Sequence, residues 1–137
     1  MAPLVLPDAL AGQDVLAKSP TGSGKTLAFA VPIAQRLEAR DTRPSALILV
    51  PTRELATQVA GELTRLAPTD LRVATIYGGI PLQSQAKRAR GAHVLVATPG
   101  RLNDLLERKA IDLDGVRILG LDEADRMLDM GFKPQVD

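Results

Sequence analysis

The sequence has no cysteine and no tryptophan, and its aromatic residues are only Phe29, Tyr77 and Phe132. Without cysteine the chain must be held by its core, and 137 residues can bury one without disulfides. The absence fits a reducing compartment, and the expected setting is the cytoplasm. So few aromatics argue against a platform on which bases would stack. A large charge is lacking too: seventeen basic against sixteen acidic residues give a net charge of +1. Bulk attraction to a polyanion is therefore weak, and any such contact must use local phosphate sites. No Lys or Arg precedes the apolar stretch in the first ten residues, so no secretory signal is expected. No apolar run reaches membrane-spanning length, and no membrane partner is expected. Hydrophobic residues at 45% and charged residues at 24% match one soluble globular domain.

What the sequence does contain is alternation. Short apolar runs occur at Asp14 to Ala17, Ala46 to Val50, Arg72 to Tyr77, His93 to Ala97 and Val116 to Leu121. Runs this short, rich in Leu and β-branched residues, predict strands buried on both faces. Between them the spacing turns helical. Leu55, Val59, Leu63 and Leu66 fall on one face of a helix over Thr52 to Ala67, and Leu102, Leu105 and Leu106 on one over Arg101 to Lys109. The order predicts an α/β domain, a parallel β-sheet with helices on both faces. Thr98-Pro99 reads as an N-cap followed by proline in the first turn. Gly131 reads as the end of a helix that begins near Glu123. Pro32 should kink or end the helix expected after Lys25, and Gly120 should weaken its strand.

Two motifs carry chemistry. Ser19-Pro20-Thr21-Gly22-Ser23-Gly24-Lys25-Thr26 follows one predicted strand and opens a predicted helix, the context of a P-loop. Gly22 and Gly24 let the backbone curl so that N–H groups of the loop face phosphate oxygens, and the helix start adds its positive end. Lys25 is placed to reach β- and γ-phosphates of ATP, and the Thr26 hydroxyl to ligate Mg²⁺. Ser19 stands where the general pattern has its first glycine. The second motif is Asp122-Glu123, delivered at the end of the strand Ile118-Leu119-Gly120-Leu121. By itself it reads equally as an acidic helix start. With a phosphate cradle upstream, Asp122 becomes a Mg²⁺ ligand and Glu123 the residue that orients the attacking water. The catalytic set is then Lys25, Asp122 and Glu123.

Asp122-Glu123-Ala124-Asp125 spells the signature of the DEAD-box helicases, and the rest of the chain resembles that family in order and spacing. Thr21 to Thr26 looks like its P-loop, although alanine is common there at the place of Ser19. Pro51-Thr52-Arg53-Glu54-Leu55-Ala56 resembles motif Ia, Gly78-Gly79 the glycine doublet, and Thr98-Pro99-Gly100-Arg101 motif Ib. Gln85 lies between the last two, near where the family often has a glutamine. Arg126 to Phe132 is similar to the usual continuation. The resemblance implies a RecA-like lobe of an ATP-dependent RNA helicase, in which Pro51, Thr52, Arg53, Gly78, Gly79, Thr98, Pro99, Gly100 and Arg101 line a track for RNA. Contact would be to sugar and phosphate, with little sequence preference. Without the resemblance, the same residues read as helix caps with solvated arginines and a glycine turn.

The resemblance also sets expectations about what the chain omits. The family's adenine-reading glutamine would align near Ala2, and its Ser-Ala-Thr motif and second lobe beyond Asp137. The second lobe supplies arginine fingers, which in phosphoryl transfer contribute about 10³–10⁵ in rate. Residues 1–137 alone are thus expected to hydrolyse little ATP and to be prone to aggregation at open strand edges, whereas the protein itself is expected to be a monomer. Other readings are a DNA helicase or translocase lobe, an ATP-gated RNA-binding scaffold, and an inactive fragment. Lys87, Arg88 and Arg90 read as a solvated helix face, and His93, with no second His or any Cys beside it, as neither a metal ligand nor a catalyst.

Overall fold

All five predicted strands form, and they lie parallel in one sheet. In the computed structural model, residues 14–18, 44–66, 70–116 and 118–122 are described, 14–18 and 121–122 as backbone only. The strands are β1 (Asp14–Lys18), β2 (Ala46–Leu49), β3 (Val73–Ile76), β4 (Val94–Ala97) and β5 (Ile118–Asp122). Their spatial order is β1-β5-β2-β4-β3. β5 thus enters between β1 and β2, with Asp14 opposite Ile118 and Lys18 opposite Asp122 on one side and Ala46 opposite Ile118 on the other. Gly120 does not break the strand: it is buried, between Leu16 and Ile48 of its two neighbours.

Helices α1 (Arg53–Leu66), α2 (Leu82–Arg90) and α3 (Pro99–Glu107) occupy the connections. Side chains of a strand alternate faces, so β2 sends Ala46 and Ile48 to one side and Leu47 and Leu49 to the other. The first side packs with Val94, Val96 and Ile118 against Ala56, Val59 and Leu63 of α1. The second packs with Ile76, Leu95 and Leu119 against Ala86 and Ala89 of α2 and Leu102 and Leu105 of α3. Helices therefore cover both faces, as the alternation predicts. Leu66 is a correction: counted on the apolar face of α1, it is 42% exposed at the last turn. α3 also begins two residues earlier than its leucines suggest, because Pro99 opens the first turn with a fixed φ and no N–H to leave unpaired. Helices expected around Pro32 and from Glu123 to Gly131 fall outside the described residues.

His93 ties three strand ends together. It is 1% exposed; its Nδ1 accepts the Arg72 N–H at 3.0 Å, and its carbonyl accepts the N–H groups of Ser45 and Ala46. One residue thereby ties the starts of β2, β3 and β4. Among the described residues no cluster of His, Cys, Asp and Glu could hold a metal ion. Replacing His93 by leucine should cost about 1–3 kcal/mol, since the Arg72 N–H loses its acceptor. A lowered urea midpoint at unchanged slope would show it, and an unchanged midpoint would refute it.

Candidate nucleic-acid interface

In a parallel sheet every carboxyl end lies on one edge, where open α/β folds bind ligands. Along that edge the order is Lys18, Asp122, then the loops after β2, β4 and β3. The P-loop sequence begins at residue 19, directly after Lys18, and Lys18 is the register partner of Asp122. The backbone thus brings the last residue before the P-loop sequence beside Asp122, the first of the predicted acid pair. Ser19, Thr21, Gly22, Ser23, Gly24, Lys25, Thr26 and Glu123 themselves lie outside the described residues, and only the backbone of Asp122 is described.

The predicted RNA-side residues are described, and the structure gathers their loops along one edge of the sheet, with Pro51 and Pro99 themselves buried. The Val50 N–H donates to the Ala97 carbonyl at 2.9 Å, which locks the ends of β2 and β4 together. Thr52 caps α1, the alternative reading of that residue: its Oγ1 accepts the Leu55 N–H at 3.2 Å. Arg53 is exposed, and its guanidinium stands 5.0 Å from the centre of the Tyr77 ring. It also borders the glycine doublet. Gly79 has φ +92°, and a Cβ there would meet Arg53 Nη1 at 3.2 Å. The positive φ favours glycine at 79, while the Arg53 side-chain end has room to shift aside. Gly78 and Gly100 are exposed with open space where a Cβ would stand, so both offer bare backbone to a ligand.

Thr98 corrects a prediction. It occupies the N-cap position of α3, but its hydroxyl makes no capping bond and donates to the Ile76 carbonyl at 3.4 Å, beside the Thr98 N–H at 2.9 Å. The hydroxyl is drawn to the end of β3, where it ties that strand to β4. Pro99 has no N–H, so the uncapped donors of the first turn are those of Gly100 and Arg101. No acidic residue lies in that turn, whereas Glu54 lies in the first turn of α1. The start of α3 is therefore the better place for a phosphate.

Arg101 points inward. Its Nε donates to Gln85 Oε1 at 3.1 Å and its Nη2 to the Ile80 carbonyl. Gln85, 3% exposed, completes the tie by donating Nε2 to the Tyr77 carbonyl at 3.0 Å. Arg101 and Gln85 together hold the loop 77–80 from both ends, and so position the glycine doublet. The sequence pointed to Gln85 only by its place between two motifs, and gave no sign of Tyr77 or Ile80 as parts of the site. In the basic cluster Lys87 and Arg88 are solvated as predicted, but Arg90 Nη1 donates to the Ala110 carbonyl at 2.8 Å. That bond closes the turn after α3.

A profile of the DEAD/DEAH box helicase family matches residues 3–137. Among curated proteins, the chain is 46% identical over 149 residues to DEAD-box ATP-dependent RNA helicase 52A of Oryza sativa subsp. japonica. That match covers 96% of this chain and 25% of the relative. It is 49% identical to ATP-dependent RNA helicase DbpA of Escherichia coli (strain K12), covering 96% of this chain and 30% of that one. Among solved structures, a DEAD box protein from the hyperthermophile Methanococcus jannaschii superposes with a TM-score of 0.78 at 40% identity, over 93% of this chain and 35% of the other. The chain thus spans about a quarter to a third of the length of these relatives. With the strand order, the edge ridge and the motif order in agreement, the chain belongs to the DEAD/DEAH box helicase family.

Proposed function

We propose that this chain is the ATP-binding part of an RNA helicase that couples ATP hydrolysis to local opening of short duplexes. It grips one RNA strand by its sugar–phosphate backbone along the ridge of Pro51 to Arg53, Gly78-Gly79 and Thr98 to Arg101. The observation that carries this reading is the uncapped start of α3 beside exposed glycine backbone: N–H donors and open space suit phosphate and discriminate no base. Arg53, over the Tyr77 ring, adds a cation at the rim of the same ridge. On the nucleotide side, the P-loop backbone from Ser19 to Thr26 cradles the phosphates, and Lys25 neutralises their charge. Thr26 and Asp122 would hold Mg²⁺, which supplies charge neutralisation at the phosphate oxygens. Glu123 orients the water that attacks the γ-phosphate. The intact protein would act in the cytoplasm, as a monomer.

Titration of this chain with labelled oligouridylate at several salt concentrations tests the grip. Each phosphate engaged on a single strand contributes about −0.7 to the slope of log affinity against log salt. Arg53→Ala should reduce that slope by about 0.7 and the affinity by about threefold to tenfold, whatever the base sequence. In a protein carrying both lobes, RNA should stimulate ATP turnover far more than DNA of the same length. Equal stimulation by DNA would move the assignment to a DNA translocase.

A further inference from the structure

β3 is the outer strand of the sheet among the described residues. In a parallel ladder the N–H and carbonyl of one residue face the same neighbour, and successive residues face opposite sides. The Val94 N–H bonds to the Arg72 carbonyl and the Thr98 N–H to the Ile76 carbonyl, so Arg72, Ala74 and Ile76 face β4. Val73, Thr75 and Tyr77 therefore face outward. Gln85 takes the Tyr77 carbonyl. Val73 and Thr75 keep both backbone groups without a partner among the described residues. α2 runs beside this edge and leaves a cleft of about 680 Å³, lined on the sheet side by Val73 and Thr75 and on the helix side by Lys87 and Arg88. Arg72 also lines it, so among the described residues the lining carries three cations and no carboxylate.

We propose that this cleft is a docking site for an extended acidic segment of a partner protein, which adds to β3 as a further parallel or antiparallel strand. One end of the cleft reaches Tyr77, Ile80 and Gln85 behind the glycine doublet, but the docking of a strand on Val73 and Thr75 does not depend on RNA binding there. β3 has four residues, so it offers about 13 Å of ladder, enough for a partner segment of similar length. The segment's backbone satisfies the N–H and carbonyl groups of Val73 and Thr75, and its acidic side chains face Arg72, Lys87 and Arg88. A second copy of this chain fits poorly, because pairing β3 with β3 sets those cations against themselves. The same cations thus keep the edge from self-pairing and select a partner of opposite sign. RNA also fits less well: its phosphates would meet the cations but would set acceptor oxygens against the outward carbonyls of Val73 and Thr75.

The test uses the 137-residue chain and a fluorescein-labelled peptide of alternating Glu and Val, followed by anisotropy. Saturable binding is expected, weakened about tenfold by the double variant Lys87→Glu, Arg88→Glu. Both side chains are solvent-exposed, so the variant should keep its fold. Methylating every second peptide nitrogen should abolish binding, since it removes the donors that face β3. Excess oligouridylate should leave the peptide bound. The proposal is overturned if no saturable binding occurs, if the methylated peptide binds as well, if the double variant binds equally, or if oligouridylate displaces the peptide.

Discussion

Replacing Gln85 by leucine is expected to cost about 2–4 kcal/mol of stability and to weaken RNA binding at least about tenfold. The side chain is buried and makes two hydrogen bonds, one to the Arg101 guanidinium and one to the Tyr77 carbonyl. Leucine fills the volume but strands both partners. A bond to a charged group contributes about 1.5–3 kcal/mol and a neutral one about 0.5–1.5 kcal/mol. The loop 77–80 then loses its tie to α2 and its tie to Arg101 slackens, so the glycine doublet is no longer presented in one conformation. A double-mutant cycle with Arg101→Met separates this account from a general loss of packing. The two side chains act through one bond, so a coupling energy of about 1–3 kcal/mol is expected. Additive effects, or full RNA affinity in Gln85→Leu, would show that the doublet is positioned by something else.

Lys25→Ala should lower ATP affinity by about a hundredfold, while Glu123→Gln should leave it intact and cut turnover by about 10²–10⁴-fold. The asymmetry follows from charge. On the proposed mechanism the lysine would meet phosphate oxygens already in the bound state, so its loss would appear as weaker binding. The glutamate would act on a water that reacts later, and glutamine keeps its shape while removing its basicity. Nucleotide affinity is measurable on this chain with a fluorescent ATP analogue, and turnover in a protein carrying both lobes. A helicase that must cycle would lose unwinding with Glu123→Gln and hold RNA in the presence of ATP. Retained unwinding would sink the proposed cycle and favour an ATP-gated scaffold.

The strands were legible in sequence because a parallel sheet covered on both faces needs unbroken apolar runs, and Ala46 to Val50 or His93 to Ala97 can be little else. α1 was legible for the complementary reason, a single apolar face behind a threonine cap. α2 was visible only as a basic cluster, because the face it buries is Gln85, Ala86 and Ala89 rather than leucines. Small and polar residues leave no hydrophobic period. The candidate site divides in the same way. Motif residues marked the loops, but the ties between loops span eight, sixteen and twenty-one residues and exist only once the sheet has formed. Nor could sequence show that the Thr98 hydroxyl prefers the Ile76 carbonyl to its own helix. The turn after α3 gave no signal either: Lys109 takes φ 55° there, where glycine is usual.

The place of β5 between β1 and β2 has a consequence for how the protein is made. β1 pairs only with β5 among the described residues, and that partner is encoded roughly a hundred residues later. At about 5–20 residues per second, the ribosome leaves β1 waiting for about 5–20 s. Meanwhile β2, β3 and β4, with α1 and α2 between them, can assemble as a three-stranded unit stapled by His93. The half of the sheet that carries the proposed RNA ridge is therefore complete before β5 brings Asp122 beside Lys18. Synthesis order would make the proposed grip first and the proposed engine last.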